Sequence, residues 1–367
     1  MSDKKQKVAV AMSGGVDSSV AAALLKKQGY EVIGIFMHFW SDPHYAQKQT
    51  IANKCCSIDA ETDARRVAEK FNIPLYTINL DRDFKKYIVD NFLDEYKKGR
   101  TPNPCVRCNQ FIKFGEFWKK AKALGCDFIA TGHYAKIRKD KAKGSPLGKG
   151  FQLLEAKDKS KDQSYFLYRL NQNVLAHCLF PLGDYKKKEV RKIAKKLKLP
   201  VFAKKDSQEV CFIQEKTPTE FLKRYLKPKT GEIITIEGNK MGRHLGLPFY
   251  TIGQRKGLGL GGGPWYVVKI DAKKNQLIIT NNPRHPGLFN DIMSVSEINW
   301  INKEPKLPLK VEIKIRSMNK KQSGILRKAG KYYQIKFKNK QRAITAGQSA
   351  VFYFKNAVLG GGIIIKK

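Results

Sequence analysis

The stretch KVAVAMSGGVDSSVAAALLKK, residues 7–27, decides the fold of the N-terminal half. An apolar strand pattern ends at Met12 and a helix pattern runs from Ser18 to Lys27, so residues 13–17 are predicted to form the turn between them. Paired glycines let a backbone approach phosphate oxygens closely, and N–H groups at a helix start attract anions. The turn has neither the Gly-Lys-Ser/Thr ending of a Walker loop nor the G-x-G-x-x-G spacing of a dinucleotide fold. These residues predict a phosphate-binding loop of a different kind.

The alternation of strand and helix patterns continues beyond this loop. Further strands are predicted at residues 31–37, 75–80 and 127–131, and helices at residues 59–71 (with Asp59 as a cap), 81–98 and 109–124. Such alternation is typical of an α/β domain with a doubly wound parallel sheet, in which ligands bind at the carboxyl ends of the strands. Residues 139–149 are predicted to form a surface loop. Residues 186–198 are predicted to form a helix with a Lys and Arg face that suits either solvent or a phosphate backbone.

The character of the sequence changes near residue 206. Glycines become frequent, and short β-branched runs replace all but one helix, which is predicted at residues 217–226. Short strands separated by turn signals indicate a small β-barrel at the C-terminal end. The predicted domains are a catalytic α/β domain of residues 1–205, a central β-rich domain of residues 206–285 and a C-terminal β-barrel of residues 286–367.

The formal charge of +39, from 71 Lys and Arg against 32 Asp and Glu, is extreme for 367 residues. A polyanionic partner explains it, because each neutralised phosphate releases bound counterions. A genome-wide preference for Lys is the alternative explanation. The sequence has no run of 18 apolar residues, which argues against a membrane span, and its polar first residues do not resemble a signal peptide. The expected compartment is the cytoplasm.

The seven cysteines are the second chemical signal, because clustered cysteines in a reducing compartment bind metal or perform chemistry. Cys105 and Cys108 lie in TPNPCVRCN, residues 101–109, where two prolines restrict the loop. Cys108 is predicted near a helix start, where the helix dipole, Arg107 and Lys113 would acidify its thiol and make it a nucleophile. Four other thiols have apolar or helical neighbours and are predicted to be buried and inert: Cys55, Cys56, Cys126 and Cys178.

The first turn, Ser-Gly-Gly-x-Asp-Ser, resembles the PP-loop of ATP pyrophosphatases, which split ATP between its α- and β-phosphates and leave AMP on the substrate. Eight stretches then resemble, in order, the bacterial tRNA-specific 2-thiouridylase (MnmA) family: AMSGGVDSSVAA, TPNPxxxCNxxIKF, ATGHYA, KDQSYFL, DSxxxCFI, YTIGQRKGLG, PWYV and AGQSAVFY. They run through the whole chain. The resemblance implies a tRNA-uridine 2-sulfurtransferase that uses ATP and Mg²⁺ to thiolate the wobble uridine of the tRNAs for Lys, Glu and Gln.

The resemblance also assigns binding residues by position. It implies that ATP is bound by Ala11, Met12, Ser13, Gly14, Gly15, Val16, Asp17, Ser18, Met37 and Gly132. Within this set Asp17 would hold Mg²⁺ near pyrophosphate, which suits a hard oxygen ligand. It implies that tRNA is contacted by Asn103, Pro104, Cys105, His133, Lys161, Asp162, Gln163, Arg316, Ser317 and Gln348. The wobble base would leave the anticodon stack to enter the site, which single-stranded loops permit at low cost.

Sulfur chemistry is implied for two separated cysteines. By resemblance Cys108 is the nucleophile and Cys211 carries a persulfide, supplied by a cysteine desulfurase directly or through relay proteins. A Cys108–Cys211 disulfide would result and need reduction before the next turnover. One position departs from the family, because Cys105 stands where the family has Asp. Cys105 is either an acid–base group with a shifted pKa, or it joins Cys108 and Cys211 around a [4Fe–4S] cluster or Zn²⁺. The persulfide and cluster alternatives both stay open here.

Two other classes of function fit part of the sequence. One is another PP-loop enzyme, such as an amide or guanylate synthetase or a 4-thiouridine synthase, although amidating enzymes do not need two separated cysteines. The other is a non-enzymatic RNA-binding protein, against which the intact phosphate loop argues. Stimulation of ATP–pyrophosphate exchange by tRNA distinguishes an adenylating enzyme from a binding protein.

Overall fold

The computed structural model describes residues 5–46, 57–140, 149–204, 210–215 and 217–365. Cys55, Cys56 and most of the predicted loop at residues 139–149 lie outside the described residues. Along the chain, a parallel sheet flanked by helices is followed by a small mixed sheet and then by a closed antiparallel barrel. This order confirms the predicted fold class.

The N-terminal part is built on a five-stranded sheet. The strands up to residue 179 are β1 (Lys7–Ala11), β2 (Glu31–His38), β3 (Leu75–Asn79), β4 (Phe128–Ala130), β5 (Ala135–Asp140), β6 (Gly150–Glu155) and β7 (Cys178–Leu179). The sheet order is β3-β2-β1-β4-β7, and every pairing in it is parallel. Residues 8–10 of β1 are fully buried. Both faces of the sheet are covered at β1 and β2, which is why these two strands are almost continuously apolar.

Helices connect these strands and continue into the central part. Their bounds are α1 (Val16–Lys27), α2 (Pro43–Ala46), α3 (Ile58–Lys70), α4 (Asp81–Phe84), α5 (Asp90–Lys97), α6 (Pro104–Arg107), α7 (Phe117–Ala123), α8 (Gln172–Ala176), α9 (Lys187–Lys196) and α10 (Pro218–Tyr225). Two π-helical stretches, Lys85–Val89 and Cys108–Glu116, join α4 to α5 and α6 to α7. Within the described residues, no helix combines the length and apolarity needed to cross a lipid bilayer.

Two helix starts differ from the prediction because side chains cap them earlier. The helix predicted at residue 109 begins at Pro104, where the Asn103 side chain accepts a hydrogen bond from the Val106 N–H at 3.3 Å. Proline at the first helical position has no N–H to leave unsatisfied, so the second proline starts the helix earlier than predicted. The α3 helix is capped by Ser57, whose Oγ accepts from the Ala60 N–H at 3.1 Å, and not by Asp59.

Local structure differs from the prediction at a few places. Residues 139–140 of the predicted loop belong to β5, in the antiparallel hairpin of β5 and β6. The aromatic residues after Gln163 form a 3-10 turn, Ser164–Leu167. In the central part, β8 (Gly231–Thr235), β9 (Lys240–His244), β10 (Tyr266–Asp271) and β11 (Gln276–Thr280) form a sheet in the order β10-β11-β8-β9. The edge strand β9 was not predicted, because its sequence KMGRH is polar and contains glycine.

The C-terminal part is a six-stranded barrel. Its strands are β12 (Phe289–Trp300), β13 (Leu309–Lys314), β14 (Gln322–Ala329), β15 (Tyr332–Arg342), β16 (Ser349–Phe354) and β17 (Ala357–Ile365). Pairing of β12 with β17 closes the barrel around its own apolar core. The β6 strand also pairs with β17, with Leu154 opposite Ala357, so a hairpin of the N-terminal part extends the sheet of the barrel.

A buried charge network reinforces this junction. The Lys314 ammonium lies 3.9 Å from a Glu155 oxygen and 3.6 Å from an Asp162 oxygen, and Lys321 lies 3.4 Å from Glu155. The side chains of Glu155 and Asp162 are only 6% and 1% exposed. Buried carboxylates need such partners, so the junction between the two parts depends on the lysines of the barrel.

Candidate active site

The turn after β1 has the geometry expected of a phosphate-binding loop. Gly14 has a left-handed φ of +64°, and a Cβ there would lie 2.1 Å from the Ala60 carbonyl oxygen. The Ser13 N–H donates to the Ser18 Oγ at 3.2 Å, which closes the loop. Gly15 precedes α1 and offers it no side-chain cap. The N-terminus of this 12-residue helix is therefore suited to receive an anion.

Two other predicted ATP-binding residues lie at the same edge of the sheet. Gly132 follows β4, and a Cβ at this position would lie 2.8 Å from both the Asp17 carbonyl carbon and the Ser18 nitrogen. Only glycine allows the segment after β4 to lie this close to the start of α1. Met37 is buried near the carboxyl end of β2, opposite Ile78 of β3. The predicted residues thus surround the carboxyl edge of β1, β2 and β4, and their role in binding ATP stays a prediction.

Asp17, the predicted Mg²⁺ ligand, is engaged by two side chains. The Lys187 ammonium donates to both carboxylate oxygens, at 2.7 and 2.8 Å, and the Tyr134 hydroxyl donates to one of them at 2.8 Å. The Lys187 side chain is only 11% exposed. These donors take up three acceptor positions of the carboxylate in this structure, and the role of Asp17 as a Mg²⁺ ligand stays a prediction.

Two lysines at this loop were not predicted from the sequence. The basic side chains of residues 186–198 were expected to face solvent or RNA, whereas Lys187, the first residue of α9, points to the phosphate loop. The other, Lys204, donates to the Gly14 carbonyl oxygen at 3.2 Å and to Asp63 at 2.9 Å. Both lysines reach the loop across more than a hundred residues of sequence, and no local pattern signals such contacts.

Three thiols from two distant segments form one electrostatic group. Cys105 lies on α6, Cys108 begins the following π-helical stretch, and Cys211 lies in the described segment 210–215. A negative charge on Cys211 raises the pKa of both other thiols, so all three lie within electrostatic range. Cys126 and Cys178 are buried, as predicted.

The predicted acidification of Cys108 is wrong. Burial raises the pKa of its thiol to about 12, although the nearby Lys113 charge lowers it. Cys105 is exposed to solvent, yet the surrounding protein still desolvates it enough to raise its pKa to about 11, again against Lys113. Desolvation disfavours a thiolate, and here it outweighs both the helix start and the neighbouring cation.

The three thiols do not form a metal site as they stand. Among the described residues, no group of three or more His, Cys, Asp or Glu side chains lies close enough to hold a metal ion. The thiol positions therefore do not fit a [4Fe–4S] cluster or Zn²⁺ in this conformation.

The segment that carries Cys211 is anchored on the C-terminal side of the thiol. Phe212 is 1% exposed and packs edge-on against Phe84, Phe92 and Phe221. Arg224 of α10 forms ion pairs with the buried carboxylates of Glu215, in the Cys211 segment, and Asp42, after β2. The central part of the chain thus fixes Cys211 relative to the sheet.

His133 follows Gly132, which packs against the start of α1. Its Nδ1 is 2.7 Å from the Thr131 hydroxyl, and its ring packs against Phe114 and Phe180. Burial, assisted by the Lys113 charge, holds the pKa of His133 well below its usual range, so the imidazole is neutral. Lys113 therefore acts electrostatically on His133 and on the thiols, which places the two groups in one site.

The loop before Cys105 is held by the other two parts of the chain. The Gln348 side chain donates to the carbonyl oxygens of Thr101 and Pro102 at 3.0 and 3.1 Å. The Thr101 N–H donates to the Ala346 carbonyl oxygen at 2.9 Å, and its hydroxyl lies 3.0 Å from that of Thr251. The barrel and the central part together set the position of the cysteine loop.

The predicted tRNA contacts fall into two groups. Lys161, Arg316 and Ser317 are at least partly exposed, and Arg316 also donates to the Ala343 carbonyl oxygen at 3.0 Å. Asn103 and Pro104 cap and start α6, and Gln163 accepts from the Tyr134 N–H at 2.9 Å. The Asp162 carboxylate instead points inward and accepts from the Ala156 N–H and the Ser164 hydroxyl. A buried carboxylate does not face an RNA backbone.

Family models match most of the chain. Residues 6–215 match a model described as tRNA methyl transferase HUP domain. Residues 219–281 match a tRNA methyl transferase PRC-barrel domain, and residues 290–364 match an aminomethyltransferase beta-barrel domain.

Curated relatives resemble the chain over its whole length. The tRNA-specific 2-thiouridylase MnmA of Clostridioides difficile is 44% identical, with 98% of each chain covered. That of Natranaerobius thermophilus is 47% identical, covering 98% of this chain and 97% of its own. MnmA 1 of Caldanaerobacter subterraneus is 48% identical, with 98% of each covered. With a phosphate-binding loop at the carboxyl edge of the sheet and this similarity over the whole length, the chain belongs to the tRNA-specific 2-thiouridylase (MnmA) family.

Proposed function

We propose that the chain is a tRNA-uridine 2-sulfurtransferase that uses ATP to thiolate the wobble uridine of the tRNAs for Lys, Glu and Gln. The observation that carries this proposal is the electrostatic influence of Cys211 on Cys105 and Cys108, from a distant segment, in a chain whose Gly132–His133 segment packs against the phosphate loop. A plain RNA-binding protein needs no such arrangement. Residues 1–205, together with Cys211 at the domain boundary, would perform the chemistry, while the central domain (206–285) and the barrel (286–367) hold the RNA.

The first step in this proposal activates the base. ATP binds as a substrate with its phosphates at the N-terminus of α1, where Gly14 and Gly15 allow close approach. The uridine C2 oxygen attacks the α-phosphorus, pyrophosphate leaves, and the base carries AMP. Neutral His133, buried between two aromatic rings, adds no charge to the site and suits contact with an uncharged base.

The second step transfers sulfur. The terminal sulfur of a Cys211 persulfide attacks C2, and AMP leaves with the former C2 oxygen. The Cys108 thiolate then attacks the Cys211 Sγ, and the electron pair of the broken S–S bond goes to the sulfur on C2, which becomes the thiocarbonyl. A Cys108–Cys211 disulfide remains, and a thiol reductant restores both thiols. The sulfur donor is proposed to be a cysteine desulfurase, directly or through a relay protein.

Cys105 changes the acid–base character of the site. Since the pKa of its thiol is about 11, Cys105 is protonated at neutral pH and can donate a proton but not accept one. An Asp at this position would be ionised instead. We therefore propose that Cys105 acts as a hydrogen-bond or proton donor beside the base. The persulfide is preferred to a cluster as the source of sulfur, because the described thiols do not form a metal site.

The experiment that tests this function is nucleoside mass spectrometry. The purified chain is incubated with tRNA, ATP and a persulfide donor, and 2-thiouridine is measured in digested tRNA. Cys211→Ser is expected to abolish 2-thiouridine while tRNA-dependent pyrophosphate release continues, and Cys126→Ser, a buried thiol outside the site, serves as the matched control. Normal thiolation by Cys211→Ser would refute the carrier role.

Iron and sulfide analysis of anaerobically purified protein addresses the cluster alternative. An iron-free preparation that thiolates tRNA in a single turnover would eliminate it. If the protein thiolates tRNA only when iron and sulfide are bound, the cluster mechanism would take the place of the persulfide step.

A further inference from the structure

We propose that Lys187 is the cation that binds the pyrophosphate half of ATP at this phosphate loop. The inference rests on the proposed use of ATP and names the residue that neutralises its β- and γ-phosphates. It concerns a side chain from α9, far from the loop in sequence, whose ammonium group meets the first turn of α1.

The loop itself lacks a cation. Residues 12–19, MSGGVDSS, contain no Lys or Arg, whereas a Walker loop supplies its own Lys to the β- and γ-phosphates. The loop also contains a negative charge, Asp17, at the position where an anion would approach the helix N-terminus. A triphosphate bound here needs a positive group from elsewhere in the fold.

Lys187 is placed to supply that charge. Its ammonium lies 2.7 and 2.8 Å from the two Asp17 oxygens, and Asp17 lies in the first turn of α1. The side chain is largely buried, and a buried ammonium is unfavourable without an anionic partner. Asp17 is that partner in the present structure. Because Asp17 lies in the first turn of α1, the ion pair holds the ammonium near the N-terminus of this helix.

The backbone under Lys187 is fixed, so its long side chain is the adjustable part. The Lys187 N–H donates to an Asp158 oxygen at 2.9 Å. The Glu189 carboxylate accepts a hydrogen bond from the Lys186 N–H at 2.5 Å at the start of α9, which packs against α1. Four methylene groups on a held backbone allow the ammonium to reach a phosphate without moving the helix.

Lys204 is the other lysine at the loop, and its contacts suit a different task. It bonds to the Gly14 carbonyl oxygen and to Asp63 of α3, and its side chain is 40% exposed. These contacts hold the loop against α3. Lys187 is the better ligand for phosphate because it is more buried and faces the helix N-terminus.

A simpler role for Lys187 would be to neutralise Asp17 and nothing more. The two roles predict different results for a variant that lacks both the Lys187 and the Asp17 charge. If Lys187 only cancels the Asp17 charge, then removing both charges restores the binding of phosphates. If Lys187 contacts the phosphates, removing both charges leaves their binding weak.

The test measures binding by calorimetry in the full-length protein, without tRNA or sulfur donor. The ligands are ATP, pyrophosphate and AMP, and the variants are Lys187→Met, Lys187→Arg, and Lys187→Met combined with Asp17→Asn. Lys188→Met, an exposed lysine on the same helix, is the matched control. The double variant removes both members of the ion pair, so it remains informative if Lys187→Met alone does not fold.

The expected result is a loss of about 10- to 100-fold in affinity for ATP and pyrophosphate in both Met variants, the size of a charged hydrogen bond, with AMP binding unchanged. Lys187→Arg retains part of the affinity, and Lys188→Met is unaltered. Recovery of pyrophosphate binding in the double variant would overturn the proposal, as would an equal loss for AMP. A protein that binds ATP through Lys187 but never thiolates tRNA would refute the proposed function alone.

Discussion

Lys113 is expected to set the rate of sulfur transfer through the ionisation of Cys108. Burial raises the pKa of the Cys108 thiol to about 12, so at pH 8 only a small fraction of molecules carries the thiolate that must attack the persulfide. Lys113 is the cation that lowers this pKa. A nearby charge shifts a pKa by about one unit or more, so Lys113→Gln is expected to slow the thiolate step about tenfold at fixed pH.

The assay is single-turnover thiolation with persulfide-loaded protein, tRNA and ATP, followed by 2-thiouridine analysis between about pH 6.5 and 9. Because the folded-state pKa lies above this range, the thiolate fraction and the rate rise about tenfold for each pH unit. At a pH one unit higher, Lys113→Gln is then expected to reach the rate that the wild type has at the lower pH. Lys113→Arg, which keeps the positive charge, is expected to match the wild type at the same pH. Loss of folding would not be corrected by pH.

Titration of His133 does not contribute to the pH dependence in this experiment. Burial is the main cause of its lowered pKa, and Lys113 is the smaller one, so the imidazole stays neutral across the assay range in the variant as well. A rate that is independent of pH, or a Lys113→Gln variant as fast as wild type throughout, would refute the claim that Cys108 ionisation limits sulfur transfer.

Three further changes test other parts of the site. Gly132→Ala places a Cβ 2.8 Å from the backbone of Asp17 and Ser18, so we expect a stability loss of about 1–3 kcal/mol. We also expect ATP binding, measured by calorimetry, to be at least tenfold weaker. The control is Gly261→Ala, because a Cβ at Gly261 meets no atom within 4 Å. Arg224→Met leaves the Asp42 and Glu215 carboxylates buried without the Arg224 cation, which is expected to lower the free energy of unfolding by about 2–4 kcal/mol. Thermal unfolding measures this loss, with Arg243→Met as the control. Equal unfolding curves for the two variants would contradict the role of Arg224 in holding the Cys211 segment. Gln348→Ala removes two hydrogen bonds to the cysteine loop, worth about 1–2 kcal/mol together. We expect slower thiolation with unchanged ATP affinity, measured against Gln322→Ala, and an equal loss of ATP binding would show that the loop contact is not specific to the sulfur step.

Local sequence signals were sufficient for most of the architecture. The loop after β1, the parallel strands and the barrel each follow from hydrophobic periodicity and turn residues within a short window. The hairpin of β5 and β6 was missed because β6 finds its second partner in β17, about two hundred residues later. Sequence periodicity near residues 135–155 contains no trace of that pairing.

The site was predicted in its residue types but not in its electrostatics. The cysteines, Gly132 and His133 were found because motifs and strand ends mark them. The predicted acidity of Cys108 failed because burial depends on how the surrounding side chains pack, which no local pattern measures. Lys187 and Arg224 were missed for a related reason, since Lys187 meets Asp17 across 170 residues and Arg224 meets Asp42 across 182 residues.

The pairing of β6 with β17 limits how this enzyme can be dissected. A fragment that stops before the barrel would leave the β6 backbone groups at Leu153 and Leu154 unpaired and Glu155 without Lys314 and Lys321. Such an edge invites association with other chains. Truncation would therefore damage the catalytic half as well as remove the barrel, and the contribution of the barrel to RNA recognition is better measured with surface point variants of the full-length chain.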